Sequence, residues 1–323
     1  MTTTDRPVTT GPNPDALGGR VKGFLGAVPT WVLWFFVVIW TIPTLGLFIN
    51  SFRTRDAMRN SGWWMFWQDG ANGYGGLSLQ NYSDVLGAEA TGGLANGLLN
   101  SASIAIVATI IPIAIAAFAA YAFAWIDFKG RDWLFIAVVA LLAVPSQVAL
   151  IPLLQMYSGG AHLTLPFIEK TVTIFPDLDL AGKIPAVWLT HTGFALPFAI
   201  FLLHNYISGL PRDLFESARI DGADHFTIFW RLVVPLSVPV LAAFTIFQFL
   251  WTWNDYLIAL TMLGANRDVM PATVVVASLA GEFGLREHLL TAGAFVITVV
   301  PMVVFFSLQR FFVRGITAGS VKG

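Results

Sequence analysis

Apolar residues fall in six runs of about span length, Pro29–Ile49, Ser101–Trp125, Trp133–Met156, Ile184–Ile207, Val234–Leu260 and Leu289–Phe312. Between them lie stretches where Gly, Pro, Asn and charged residues collect. A bilayer core about 30 Å thick is crossed by about 20 helical residues, so each run predicts one transmembrane helix. Between the fourth and fifth runs the pattern changes to an amphipathic one. Pro211 suits the first turn of a helix, Leu214, Phe215 and Ala218 share one face, and Arg212, Asp213, Glu216 and Arg219 take the other. Gly222 can adopt the left-handed conformation that closes a helix. Asp224 can then cap a second helix that carries Phe226, Phe229, Trp230 and Val233 on one side. Helix, tight turn, helix is the expected form of 211–235. The same pattern fits a surface hairpin or a DNA-binding helix-turn-helix, but apolar spans on both sides tie this one to a membrane face.

Composition agrees with the pattern. Hydrophobic residues make up 56% of the 323 positions, charged residues 11%, and mean hydropathy is +0.71, values far from those of a soluble domain. A net charge of -1 argues against a nucleic-acid partner, which needs clustered excess Lys and Arg. The absence of cysteine excludes disulfides, thiol catalysis and Cys-based metal sites. An even number of spans puts both termini on one side. Of the 18 Lys and Arg residues, eleven lie in segments on that side, among them Arg20, Lys22, Lys129, Arg131, Arg212, Arg219, Arg231, Arg310 and Arg314. Positive-inside bias therefore places the termini and the amphipathic hairpin in the cytoplasm. Read as domains, the chain has a disordered tail at 1–28, a first span at 29–49, an external loop at 50–95, a five-span core at 96–312 and a C-terminal tail at 313–323.

Within the hairpin, Glu216-Ser217-Ala218, then Asp221-Gly222-Ala223, then Val234-Pro235 after an apolar run resemble the EAA loop of bacterial ATP-binding-cassette import permeases. Ser217 replaces the family's middle alanine, and Val234-Pro235 stands for Leu-Pro. The resemblance extends over most of the chain and is closest to the maltose-type sugar permeases, within them the α-glucoside type. It implies an all-α, six-span membrane fold of the type I importer kind. It also implies a permease subunit that pairs with a second, different permease and two ATPase subunits, and that receives sugar from an extracytoplasmic binding protein. The whole would sit in the bacterial inner membrane. ATP and Mg would belong to the ATPase, with no cofactor in this chain. The resemblance makes Glu216, Ser217, Ala218, Asp221, Gly222 and Ala223 the ATPase-coupling residues. It also makes Gly319, Ser320, Val321, Lys322 and Gly323 a tail that enters between the ATPases, and Thr261–His288 a loop that reaches toward the bound sugar. Maltose, trehalose and sucrose are the implied substrates.

Chemistry inside the spans is sparse. Asp255, in the run Trp251-Thr252-Trp253-Asn254-Asp255-Tyr256, is the acid expected within a span, near the external end of the fifth. A charge in a bilayer faces a wet cavity or a partner. Aromatic rings with Asn254 and Asp255 suit the faces and hydroxyls of a sugar, although an interfacial belt with a satisfied polar pair fits equally. Pro145-Ser146-Gln147 joins a helix-bending proline to polar side chains and is the preferred hinge, which makes Gln147 a third candidate for the path or gate. The run Asp69-Gly70-Ala71-Asn72-Gly73-Tyr74-Gly75-Gly76 lacks the Gly-Lys-Ser/Thr of a phosphate loop and reads as a flexible turn. His162, His191, His204, His225 and His288 show no pair at metal-ligand spacing, and no catalytic constellation is visible. A self-sufficient sugar channel or secondary transporter, independent of ATP, is the competing reading; it would call for inverted repeats and paired intramembrane charges.

Overall fold

The computed structural model describes residues 29–87, 93–165, 170–264, 266–281 and 286–320, and the backbone alone for 165, 170 and 310–320. The expected tail at 1–28 and the expected tail contacts Val321, Lys322 and Gly323 lie outside the described residues. In chain order come α1 (Thr30–Asn50), α2 (Arg55–Asn60), a 3-10 turn (Trp63–Gln68), α3 (Gln80–Gly87) and α4 (Leu94–Trp125). Then follow α5 (Arg131–Ala140), α6 (Ser146–Gly159), the strands β1 (Ala161–Leu165) and β2 (Lys170–Phe175), and α7 (Ile184–Ile207). The chain continues through α8 (Arg212–Ile220), α9 (His225–Trp253), α10 (Leu257–Leu263), α11 (Ala272–Ser278) and α12 (Glu287–Ser320).

Among the described residues, five helices are long and apolar enough to cross a membrane: α1, α4, α7, α9 and the Glu287–Gln309 part of α12. The third expected run is broken. Arg131–Ala143 and Ser146–Gly159 meet at 103°. Proline disfavours helical geometry in the residue before it, and Val144 is extended at φ -79°, ψ 117° ahead of Pro145. The fifth run also ends earlier than expected. Helix α9 stops at Trp253 and α10 begins at Leu257, so Asp255 stands at a break between two helices instead of inside a span. A five-residue π turn, Phe229–Val233, widens α9 where Pro235 withholds the donor that the Arg231 carbonyl would take.

Packing centres on α4, α7 and α9. Ala116 and Ala120 of α4 meet Ala195, Ala199 and Leu203 of α7, with Val240 and Phe244 of α9 closing the cluster. Small residues let the backbones approach, the usual basis of helix association in lipid. Gln248 of α9, fully buried, donates to the Ala108 carbonyl of α4 at 3.1 Å and to Thr252 Oγ1 at 3.3 Å. Helix α1 differs from all of these, since Gly46 is its one buried residue.

The segment between α1 and α4, expected as a loop, contains α2, the 3-10 turn and α3. Arg53 organises it. Its guanidinium, 1% exposed, donates to both carboxylate oxygens of Asp69 at 2.6 and 3.0 Å, to the Ala57 carbonyl at 2.9 Å and to Asn50 Oδ1 at 3.0 Å, and also reaches Ser61. That guanidinium holds the Asp69 carboxyl below the usual carboxylate range. The run beginning at Asp69 is therefore pinned at its first residue, and only its Gly73 and Gly75 take positive φ. The antiparallel β1–β2 hairpin is a further departure from an all-helical expectation.

Candidate functional site

The amphipathic segment forms the expected helix, turn and helix. Helix α8 starts after Pro211, and Gly222 closes it at φ +81°, donating to the Arg219 carbonyl at 3.0 Å while Ala223 donates to Ala218 at 2.9 Å. A methyl group added at Gly222 would meet nothing within 4 Å, so the glycine answers to backbone conformation and not to crowding. Asp224 caps α9, its Oδ1 accepting from the Thr227 amide at 2.8 Å. Thr227, through its side chain first and then its amide, draws the Asp224 carboxyl below its ordinary range.

One side chain fastens α8 to the bundle. Phe215, 1% exposed, stacks on Trp125 at the end of α4, with centroids 3.6 Å apart and planes 13° from parallel. Trp125 is itself fixed by donating Nε1 to the Ile207 carbonyl of α7 at 3.1 Å. At the start of α9 the Tyr121 hydroxyl lies 2.9 Å from His225 Nδ1, and Phe229 stacks on Phe118 at 4.4 Å. Glu216, Ser217, Asp221 and Gly222 are exposed, and Ala218 and Ala223 are half-buried. Beside them, Ile220 is 85% and Phe226 66% exposed, an apolar surface with no cover from the described residues. Four of the six expected coupling residues thus lie on the open side of the turn, and Ala218 and Ala223 pack toward the bundle. Gly319 and Ser320 fall in the last turn of α12.

The three candidate path residues do not converge. Gln147 lines a cavity of about 670 Å³ in the angle of the broken span, together with Ser146, Tyr157, Thr190, Pro197 and Trp251. Asn254 turns back to the Leu250 carbonyl at 2.8 Å. Asp255 caps α10, accepting from the Ala259 amide at 2.9 Å and the Ile258 amide at 3.3 Å. Its Oδ2 also lies 3.6 Å from Nε2 of His191, which is fully buried and edge-on to Trp251 at 5.2 Å. Sequence reasoning missed Phe215–Trp125 as a pair, and missed His191, Tyr157 and Thr190. A tryptophan at a span end is a generic interface signal, and pairs distant in sequence leave no local pattern.

Fold and site together define a multi-pass membrane transport subunit with an exposed helical hairpin. Residues 110–318 match the model of the binding-protein-dependent transport system inner membrane component, and the chain belongs to that family. It is a permease subunit of an ATP-driven importer and not an enzyme. An osmoprotective compounds uptake permease of Synechocystis sp. is 51% identical over 287 residues, 88% of each chain. An alpha-glucoside transport system permease of Rhizobium meliloti is also 51% identical, over 248 residues that make up 76% of this chain and 61% of that one. A trehalose transport system permease of Mycobacterium tuberculosis is 32% identical over 250 residues, 76% of this chain and 83% of its own. Among solved structures, a chain of a bacterial ABC transporter involved in import of the acidic polysaccharide alginate aligns over 94% of this chain and 99% of its own. The TM-score is 0.65 at 18% identity, a likeness of fold.

Proposed function

We propose that this chain imports neutral α-glucosides, such as trehalose, sucrose or maltose. It would act beside a second permease, above two cytoplasmic ATPases that carry ATP and Mg, with sugar delivered by an extracytoplasmic binding protein. The observation that carries the substrate reading is the lining of the cavity at the broken span. It offers a carboxamide (Gln147), hydroxyls (Ser146, Thr190, Tyr157) and an indole (Trp251), and no charged side chain is among the lining residues. Hydroxyls and amides pair with sugar hydroxyls, and an aromatic face suits the apolar face of a pyranose. An acidic polysaccharide would call for Lys or Arg there. The alpha-glucoside and trehalose permeases among the relatives support the same reading.

Coupling follows from the hairpin. With both termini cytoplasmic, Glu216, Ser217, Asp221 and Gly222 face the ATPase, and the small side chains, Ala218 and Ala223 among them, allow its surface to come close. Gly319 and Ser320, with Val321, Lys322 and Gly323 after them, would contact the same partner. When the ATPase pair closes it displaces α8, and the Phe215–Trp125 stack passes that displacement to α4. The alanine contacts of α4 with α7 pass it on to the wall holding Thr190 and Pro197. The test is uptake in proteoliposomes containing the purified complex. ATP-dependent entry of a labelled neutral α-glucoside, lowered by Gln147→Ala and Trp251→Ala with ATPase assembly intact, is the expected result. Entry without ATP would favour a channel or secondary transporter, and exclusive uptake of acidic sugars would overturn the substrate reading.

A further inference from the structure

The 3-10 turn Trp63–Gln68 carries four aromatic residues in WWMFWQ, far more than a connecting turn needs. In a 3-10 helix, side chains three apart eclipse one another, so Trp63 and Phe66 form one row and Trp64 and Trp67 another. The first row faces α1. A Cβ built on Gly46, the one buried residue of α1, would stand 2.9 Å from Trp63 Nε1, so glycine is what lets the indole lie against the helix. The second row points away from the protein, with Trp64 59% and Trp67 65% exposed. Neither row is free to swing. The turn is bracketed by Ser61 and Asp69, and both are held by the buried Arg53 guanidinium.

We infer that Trp64 and Trp67 form a fixed anchor in the headgroup and glycerol zone of the bilayer leaflet at the Asn50 end of α1. Depth argues for lipid over a soluble partner. Helix α1 has 21 residues, and its exposed apolar side chains run continuously up to Phe48. At 1.5 Å per residue it is about as long as the hydrocarbon core is thick, and Gly46 sits about 6 Å inside its end. The turn that lays Trp63 against Gly46 therefore lies at the edge of the hydrocarbon, and Trp64 and Trp67 on the same turn share that depth, the one tryptophan prefers because its ring is apolar and its N–H needs a polar partner. The anchor is also continuous with the exposed surface of α1 and rigid through Arg53, so it would fix the vertical position of the first span. This inference needs only that α1 crosses the membrane, whatever is transported.

The chain has no cysteine, so single substitutions can be labelled without altering other positions in it. Trp64→Cys, Trp67→Cys and, as an aqueous reference, Asn72→Cys would each carry a nitroxide. The full complex would be reconstituted in a phosphatidylethanolamine/phosphatidylglycerol bilayer, with signal from identically treated wild-type complex subtracted. The expected result is an oxygen-to-nickel-chelate collision ratio several-fold higher at 64 and 67 than at 72. Equal ratios at all three positions would overturn the anchor in favour of an aqueous surface. Low accessibility of 64 and 67 to both reagents would overturn it in favour of a protein contact. Because a label replaces the ring it reports on, the native rings supply a second reading. Quenching of tryptophan fluorescence by lipid brominated near the headgroup should fall in the Trp64→Phe/Trp67→Phe variant, and unchanged quenching would count against the proposal.

Discussion

Two short segments next to membrane spans, Arg53–Asp69 and Arg212–Phe229, are held by opposite means. The first is fixed by a buried guanidinium that meets a carboxylate, two side chains and a carbonyl in a dry site. The second rests mainly on stacked rings, Phe215 on Trp125 and Phe229 on Phe118, with one polar contact between Tyr121 and His225, and its polar face and its glycine are open. Charged hydrogen bonds in a dry site are lost outright when their geometry shifts, whereas a flat apolar contact keeps much of its energy as it slides or tilts. One segment is built to stay in place and the other to move. In an importer subunit those are the properties of an anchor and of a lever.

The comparison is sharpened first by removing the anchor's carboxylate. Asp69→Ala leaves Arg53 buried and unpaired, and a loss of about 3–5 kcal/mol is expected. Thermal unfolding of the purified complex measures it, and an unchanged midpoint would mean that the segment tolerates motion. The same pair sets a pH dependence. Because the folded Asp69 pKa lies below its unfolded value, its contribution is complete above the ordinary carboxylate range, falls as pH drops through that range, and is gone below the lower folded value. The difference in melting temperature between wild type and Asp69→Asn should thus hold constant down to about pH 4 and narrow below it.

Phe215→Ala should weaken the docking of α8 by about 3 kcal/mol, the usual cost of emptying a buried aromatic site. Insertion and assembly should persist while sugar uptake per ATP hydrolysed falls, since the lever loses its link to α4. Gly222→Leu comes next. It forces an L residue into a left-handed conformation at a cost of about 1–2 kcal/mol and places bulk on the open face. It should leave insertion intact and uncouple ATP hydrolysis from uptake. Gly222→Asn, which tolerates the conformation and adds a smaller group, should restore part of the uptake, and wild-type uptake by Gly222→Leu would remove the turn from the mechanism. Asp224→Ala, at an exposed cap, should have the smallest effect, a modest rise in amide exchange in the first turn of α9.

The helix-turn-helix form of 211–235 was legible in the sequence and the Arg53 segment was not. Pro211, Gly222 and Asp224 each act through local rules of helix starts, stops and caps, and each does in the structure what its residue type dictates. The break at Pro145 follows from the same kind of rule. Arg53 and Asp69 are sixteen residues apart and meet only because α2 and the 3-10 turn fold back between them, so no periodicity announces them. The alternation of Thr171 and Thr173 with Val172 and Ile174 is a strand signal in the described hairpin, but a few residues between long apolar runs carry little weight. Hydropathy also overran the end of α9, because Trp253, Tyr256 and Leu257 are apolar on both sides of the break at which Asp255 caps α10.

The central claim, that α8 and its glycine turn are the surface on which the ATPase acts, is tested most directly by contact. A photoreactive benzophenone attached to Ser217→Cys in the assembled complex should, on illumination, join this chain to an ATPase subunit. ATP-driven sugar uptake should stop in proportion to the yield of that adduct. Adduct formation only with lipid or with the second permease, with uptake intact, would contradict the account.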